Sequence, residues 1–469
     1  MAKPEEQARK QIDGSLREAG WIIQDMASLN VLAAPGVAVR EYPLKTGPAD
    51  YLLFVDGDPV GVLEAKPVGH TILGVQSQAE KYSAGLPEEL DPPVRPLPFV
   101  YISTGAITAF CNHLDPDPRS REIFQIHRPE TLREYLNADT LDKWVQDLSG
   151  SGGEYTRADD TKPSSLRSRL QTLPKSPIPG LWEKQNKAIR NLEESLKRNR
   201  PRALIQMATG SGKTLTTVAE VYRLIKFAGA RRILFLVDRT NLGKQAEDEF
   251  AGYTTPDDHR KLTELYNVQR LQSNTIADSS RVVISTIQRM YSMLKGEAEF
   301  DPEAEEKSQY ERNDQDGEPV PVAYNAAIPP EFFDIIIIDE CHRSIYSQWR
   351  QVLEYFDAFL IGLTATPAAH TYGFFQQNLV MEYSHDEAVA DGVNVDFEVY
   401  HIRTEISEQG ATLKKDDGVQ IGLRGKDRKT RWTQLDQDLT YTPNQLDRAV
   451  VAVDQIRTVL QDFKKKALP

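Results

Sequence analysis

At 469 residues the chain is too long for one hydrophobic core, so two or three domains are expected. Two cysteines, Cys111 and Cys341, exclude a disulfide framework, no Cys/His cluster has zinc spacing, and no apolar run reaches the roughly 18 residues of a membrane helix. The net charge of −13 argues against a protein that coats nucleic acid by bulk electrostatics, but residues 297–318 alone hold ten acidic and two basic residues and carry much of that charge.

Residues 4–21 place Ala8, Ile12 and Leu16 at helical spacing and predict an amphipathic helix. Residues 50–66 read as a hairpin, with two apolar runs flanking the turn signal Asp56-Gly57-Asp58-Pro59. Strand alternation puts Glu64 and Lys66 on one face, and Asp50 begins the partner strand across from them. Two carboxylates and a lysine can hold Mg²⁺, activate a water and stabilise charge on a phosphate. A plain hairpin with polar ends has the same pattern. Gln78 and Tyr82 stand at i and i+4 and share one helix face, which also suits an ordinary polar surface. Residues 99–103 and 108–111 read as further strands. Residues 148–180 run from Ser149-Gly150-Ser151-Gly152-Gly153 to the proline-rich 174–180, and predict a flexible and then stiff linker.

Beyond the linker, strand-like runs at 203–206, 233–237, 282–285, 335–338 and 359–363 alternate with helical segments. That alternation predicts a parallel, doubly wound α/β sheet. The first run leads into Thr209-Gly210-Ser211-Gly212-Lys213-Thr214, and a helical segment follows. In that context glycines turn backbone N–H groups toward a phosphate, the lysine reaches the terminal phosphates and the threonine ligates Mg²⁺. Met207 stands where the strict phosphate-loop pattern has its first glycine. The run at 335–338 ends in Asp339-Glu340, where open α/β sheets bind their ligands. Asp339 is expected to hold Mg²⁺ and Glu340 to orient an attacking water. Residues 296–330 lack apolar periodicity and read as an acidic insertion, and residues 386–469 as a connector with strand-like 395–403, mostly polar 411–432 and helix-like 443–466. The polar N-terminus shows no signal-peptide pattern, and Cys341 within the nucleotide motif fits a reducing cytoplasm.

Asp339-Glu340-Cys341-His342 resembles the DExH box of superfamily 2 helicases, and Thr364-Ala365-Thr366-Pro367 resembles their motif III. Val237-Asp238-Arg239-Thr240-Asn241-Leu242 and Ser285-Thr286-Ile287-Gln288 resemble their motif Ia and the motif after it, and Gln185 the glutamine that reads adenine. Asp50, Glu64 and Lys66 resemble the PD-(D/E)xK nuclease core, with its proline-aspartate pair loosened to Pro48-Ala49-Asp50, and Gln78 and Tyr82 resemble the QxxxY element that follows it. Glu6 would match that family's first acidic position, with Glu5 competing for it and solvated surface an alternative role for both. A nuclease domain followed by such a motor resembles the R (restriction and translocation) subunit of type I restriction–modification enzymes. The resemblance implies a nuclease domain over 1–147, a linker over 148–180, a first RecA-like domain over 181–385 and a connector from 386. It implies ATP and Mg²⁺ as cofactors, and double-stranded DNA plus specificity and methyltransferase subunits as partners, with no membrane. No motif VI follows Pro367, so the chain reads as truncated before a second RecA-like domain. Two other readings stay open: a DNA-binding ATPase whose N-terminal domain does not cut, and an assembly module without catalysis.

Overall fold

The computed structural model describes residues 4–67, 81, 85–137, 165–175, 177–300, 321–344, 349–397, 402–417, 420–424, 430–435, 437–445 and 451–467. Residues 1–394 form one compact unit and 395–469 a second. The first unit contains two seven-stranded sheets.

The N-terminal sheet runs in chain order through β1 (Ile22–Asp25), β2 (Gly36–Tyr42), β3 (Ala49–Val55), β4 (Asp58–Ala65), β5 (Phe99–Ser103), β6 (Thr108–Asn112) and β7 (Arg121–Ile123). The β1–β2 and β4–β5 pairs are parallel and the others antiparallel. The expected hairpin is β3–β4. Asp56 and Gly57 form its two-residue turn with φ of 52° and 93°, the left-handed pair that matches strand twist. Gly61 is required where β4 meets β5, because a Cβ there would lie 2.4 Å from the Phe99 carbonyl oxygen. The helix Pro4–Glu18 covers one face of the sheet and buries Ala8, Ile12 and Leu16 completely, as their spacing predicts.

The second sheet is wholly parallel: β8 (Arg202–Met207), β9 (Ile233–Val237), β10 (Asn267–Arg270), β11 (Ser280–Thr286), β12 (Ile335–Ile338), β13 (Phe359–Thr364) and β14 (Leu379–Tyr383), in the order β10-β11-β9-β12-β13-β8-β14. The four isoleucines of β12 are fully buried between helical layers, which is why the run has no polar alternation. The five predicted strands are present as β8, β9, β11, β12 and β13. The two that patterning left out are the edge strands β10 and β14. The mixed α/β fold with a RecA-like parallel sheet is therefore the architecture expected from the sequence.

Two stretches depart from expectation. Residues 165–180, read as linker, carry the helix Leu166–Leu170 and bury Leu170, Leu173 and Ile178 in the core of the parallel sheet. Ser165 caps that helix with its hydroxyl. Residues 148–164 of the expected linker lie outside the described residues, as do 301–320 of the expected acidic insertion. Residues 395–397 and 402–403, read as strand-like, have no regular structure, and 398–401 lie outside the described residues.

Within the first unit the two sheets meet through buried charge. Arg121 Nε and Nη2 donate to Asp357 Oδ1 and Oδ2 at 2.6 and 2.8 Å, and His127 Nε2 lies 2.8 Å from Asp357 Oδ2. Beside this pair, Glu331 accepts from Thr131 Oγ1 at 2.6 Å and from Arg128 Nε at 3.0 Å. The second unit, taken by itself, holds the antiparallel ribbons Ala411–Leu413 with Leu439–Tyr441 and Gln420–Arg424 with Thr430–Gln434, and the helix Val453–Ala467.

Candidate functional site

The parallel sheet gathers its polar groups at the C-terminal ends of its strands. Chain leaving β8 turns through Gly210 and Gly212, with φ of 80° and 81°, and Gly212 caps the helix Lys213–Lys226. Only glycine takes this conformation without strain, and it aims backbone N–H groups outward at a helix N-terminus. Lys213 Nζ donates to the Met207 carbonyl at 3.2 Å and lies 4.0 Å from Glu340 Oε1. Met207 ends β8 in the core, fully buried, so its side chain contributes packing where the strict pattern would have a glycine. Ser211 Oγ donates to the Ala208 carbonyl at 2.6 Å and pins the loop from within. Thr214 and Asp339 line one open cleft, together with Gln245 and Asp248.

Asp339 and Glu340 follow β12. Burial pushes the Asp339 carboxyl up to about 6, the Glu340 charge adds to the rise, and the Glu340 N–H and Lys213 oppose it. That N–H donates to Asp339 Oδ1 at 3.0 Å. Glu340 holds φ at 46°, a strained conformation for a residue with a side chain. His342 Nδ1 lies 2.9 Å from Thr364 Oγ1, and the same oxygen accepts the Thr366 N–H at 3.1 Å. The ends of β12 and β13 are thus joined by one hydroxyl. Gln185, in the helix Glu183–Lys197, reaches the phosphate loop: its Nε2 is 3.5 Å from the Ser211 carbonyl and 3.4 Å from that of Gly212. Asp238 and Thr286, in the other two motifs, stand at the ends of β9 and β11 on this same edge, where Thr286 caps the helix Ile287–Leu294.

The second constellation lies on the N-terminal sheet. Pairing of Tyr51 with Leu63 brings Asp50 level with Glu64, as hairpin alternation predicts. Asp50 Oδ2 accepts the Ala65 N–H at 2.9 Å, and Lys66 Nζ is ion-paired with Glu64 Oε1. Burial raises the Asp50 carboxyl above its ordinary value; the Ala65 N–H and Arg9 oppose this, and Glu64 adds to it. Among the described residues no group of three or more His, Cys, Asp or Glu converges as a metal cluster. Asp50 and Glu64 therefore form a two-carboxylate set, which suits Mg²⁺, an ion that commonly keeps waters and substrate phosphates in its remaining positions. Gln78 and Tyr82 lie outside the described residues, as does the side chain of Glu5; Glu6 is exposed.

Two contacts at these sites carry no sequence signal. Arg9, from the opening helix, donates from Nη2 to Asp50 Oδ1 at 2.6 Å and from Nη1 to Glu41 Oε1 at 2.7 Å. Its place beside the buried Ala8 puts it near the sheet, but only the docking angle of the helix selects Asp50. Asn394 Nδ2 donates to the Thr209 carbonyl at 3.1 Å from almost two hundred residues downstream.

Residues 179–369 match the family described as "Type III restriction enzyme, res subunit", and residues 33–94 match "Type I restriction enzyme EcoKI endonuclease subunit second domain". The type I restriction enzyme EcoKI endonuclease subunit of Escherichia coli K12 is 28% identical over 89% of this chain and 37% of its own length. The EcoAI endonuclease subunit of Escherichia coli is 28% identical over 61% of this chain and 31% of its own length. The chain thus spans about a third of the length of these relatives. Among solved structures, a fragment assigned as an HsdR subunit of a type I restriction enzyme from Vibrio vulnificus covers 83% of this chain and 61% of its own, at 22% identity and a TM-score of 0.32. The sequence matches fall on both constellations, the carboxylate hairpin and the phosphate loop, and by them the chain is related to the endonuclease (R) subunits of type I restriction enzymes.

Proposed function

We propose that the chain couples ATP hydrolysis to movement along double-stranded DNA and cuts that DNA at the β3–β4 hairpin, as part of a complex with specificity and methyltransferase subunits. One observation carries this reading. Lys213, Thr214, Asp339 and Glu340 converge at one edge of the parallel sheet, while Asp50, Glu64 and Lys66 converge on the other sheet of the same compact unit. The proposed division is a nuclease module before residue 148 and a motor module up to about residue 394.

At the motor edge, the Gly210–Gly212 N–H groups and Lys213 bind the nucleotide phosphates. Thr214 and Asp339 would hold Mg²⁺, which when bound neutralises phosphate charge. Glu340 orients the attacking water, and its strained backbone fixes its direction toward the loop. Gln185 stands where it can exchange its loop carbonyls for a base. At the hairpin, Asp50 and Glu64 would hold the second Mg²⁺ and Lys66 stabilises charge at the scissile phosphate, with Gln78 and Tyr82 positioning the DNA backbone.

The test is plasmid nicking and ATP turnover in the reconstituted complex. Asp50→Ala, Glu64→Ala and Lys66→Ala should each lose cutting while still binding ATP, and Lys213→Ala should lose ATP binding. Normal cutting by all three hairpin variants removes the nuclease and leaves a DNA-binding ATPase. That second reading draws support from the hairpin carboxylates being already paired with Arg9 and Lys66.

A further inference from the structure

The Arg9 guanidinium spans two carboxylates. Its Nη2 takes Asp50 Oδ1 at 2.6 Å and its Nη1 takes Glu41 Oε1 at 2.7 Å. The other oxygen of Asp50 is occupied by the Ala65 N–H. A divalent cation bound at Asp50 Oδ1 therefore competes with the Arg9 charge for that carboxylate. Glu41 is placed to receive the displaced charge. It lies in β2 between Arg40, which pairs with Tyr51, and Tyr42, which pairs with Ala49, so the register sets it opposite Asp50. Its φ of 48° is strained for a side-chain-bearing residue, and its side chain is 66% exposed. Holding an exposed glutamate in this conformation beside the site needs a reason, and the second prong of Arg9 supplies one.

We propose that Arg9 is a positioning residue that competes with the divalent cation for Asp50 and shifts its charge onto Glu41 when the cation binds. Arg9 thereby holds the Asp50 carboxylate at low cation occupancy. The proposal rests on the nuclease reading of the hairpin. Coulomb competition fixes its sign: removing Arg9 strengthens cation binding, whereas removing Glu41 takes away a carboxylate that shares the Arg9 charge with Asp50 and weakens it. A merely structural role for Arg9 gives the opposite sign, because loosening the helix would disorder Asp50.

The experiment titrates Mn²⁺ into the full chain without nucleotide or DNA and reads unbound Mn²⁺ by electron paramagnetic resonance. Binding lost in Asp50→Asn defines the hairpin site and separates it from the phosphate loop. Arg9→Gln should tighten that site by about tenfold. Glu41→Gln should weaken it several-fold, and the double variant should behave as Arg9→Gln. Unchanged or weaker binding in Arg9→Gln overturns the proposal. If Arg9→Gln does not fold, Glu41→Gln decides: unchanged or tighter binding there overturns it. If Asp50→Asn removes no Mn²⁺ from wild type and Arg9→Gln alike, the nuclease reading fails, and the proposal with it.

Discussion

Arg121 on the N-terminal sheet forks onto Asp357, just ahead of β13 on the parallel sheet, with both bonds buried. His127 closes on the same carboxylate and is itself 2.9 Å from the Tyr101 hydroxyl. A buried carboxylate with this many partners does not function as a tether. It fixes one sheet against the other within the first unit, so the N-terminal sheet rests on the parallel sheet directly.

Removal of Asp357 should be costly, because it strands the Arg121 charge in the interior. Asp357→Ala is expected to lose about 3–5 kcal/mol of stability, measured by urea unfolding of the full chain. The pH dependence follows from the carboxyl being held well below its ordinary range by Arg121 and His127, against the opposing effect of burial. A depressed carboxylate contributes its full stability above the unfolded value, about 3.9, and loses it as pH falls below that toward the folded value. Wild type should therefore lose stability relative to Asp357→Asn as pH is lowered from 5 toward 3. Equal slopes in the two chains would remove Asp357 from the account.

Glu220 gives the opposite sign. It lies two turns into the helix Lys213–Lys226, 2% exposed, and neither carboxyl oxygen has a hydrogen-bond partner. Burial, with the nearby Glu193 charge, pushes its carboxyl well up, and Arg223 opposes this only in part. A raised carboxylate costs stability as pH climbs above the unfolded value of about 4.3. Glu220→Met should stabilise the chain by roughly 1–3 kcal/mol at pH 7 and flatten this slope. Loss of stability in that variant would mean that Glu220 has a partner in solution.

Lys213→Ala should weaken ATP binding by about 2–3 kcal/mol, the value of a charge-assisted hydrogen bond. Stability without nucleotide should change less, because Lys213 makes one hydrogen bond, to the Met207 carbonyl, among the described residues and lies 4.0 Å from Glu340 Oε1. Calorimetry with ATP·Mg²⁺ reads the first, and thermal unfolding the second.

Thr364→Val removes the hydroxyl that joins His342 to the Thr366 N–H. ATP affinity should stay within about twofold while turnover falls by roughly tenfold or more, a loss of about 1.4 kcal/mol in the barrier term. A matched fall in both would place Thr364 in binding rather than in positioning the ends of β12 and β13.

Much of this was legible locally. The phosphate loop, the Asp339-Glu340 pair and the β3–β4 hairpin are all set by spacing within a few residues. Glycines at Gly57, Gly210 and Gly212 occupy left-handed positions that little else tolerates. The core strands were readable because burial on both faces leaves an unbroken apolar run, as in Ile335–Ile338. The edge strand β10 was not, because its run Asn267–Arg270 holds a single apolar residue, Val268. Residues 165–180 looked like linker from their prolines, although Leu170 and Ile178 are anchored in the core of the parallel sheet.

The sequence by itself determined which groups are present: a glycine-rich loop ahead of a helix, a carboxylate pair behind a buried strand, and two carboxylates with a lysine on a hairpin. Strand period and turn conformation are short-range properties, so the chain writes them in consecutive residues. The tertiary structure alone decided the company these groups keep. Arg9 meets Asp50 across 41 positions, Asn394 meets Thr209 across 185, and Arg121 meets Asp357 across 236. Such pairs depend on the angle at which a helix docks or two sheets abut, and that angle is set by packing summed over whole faces rather than by any local pattern.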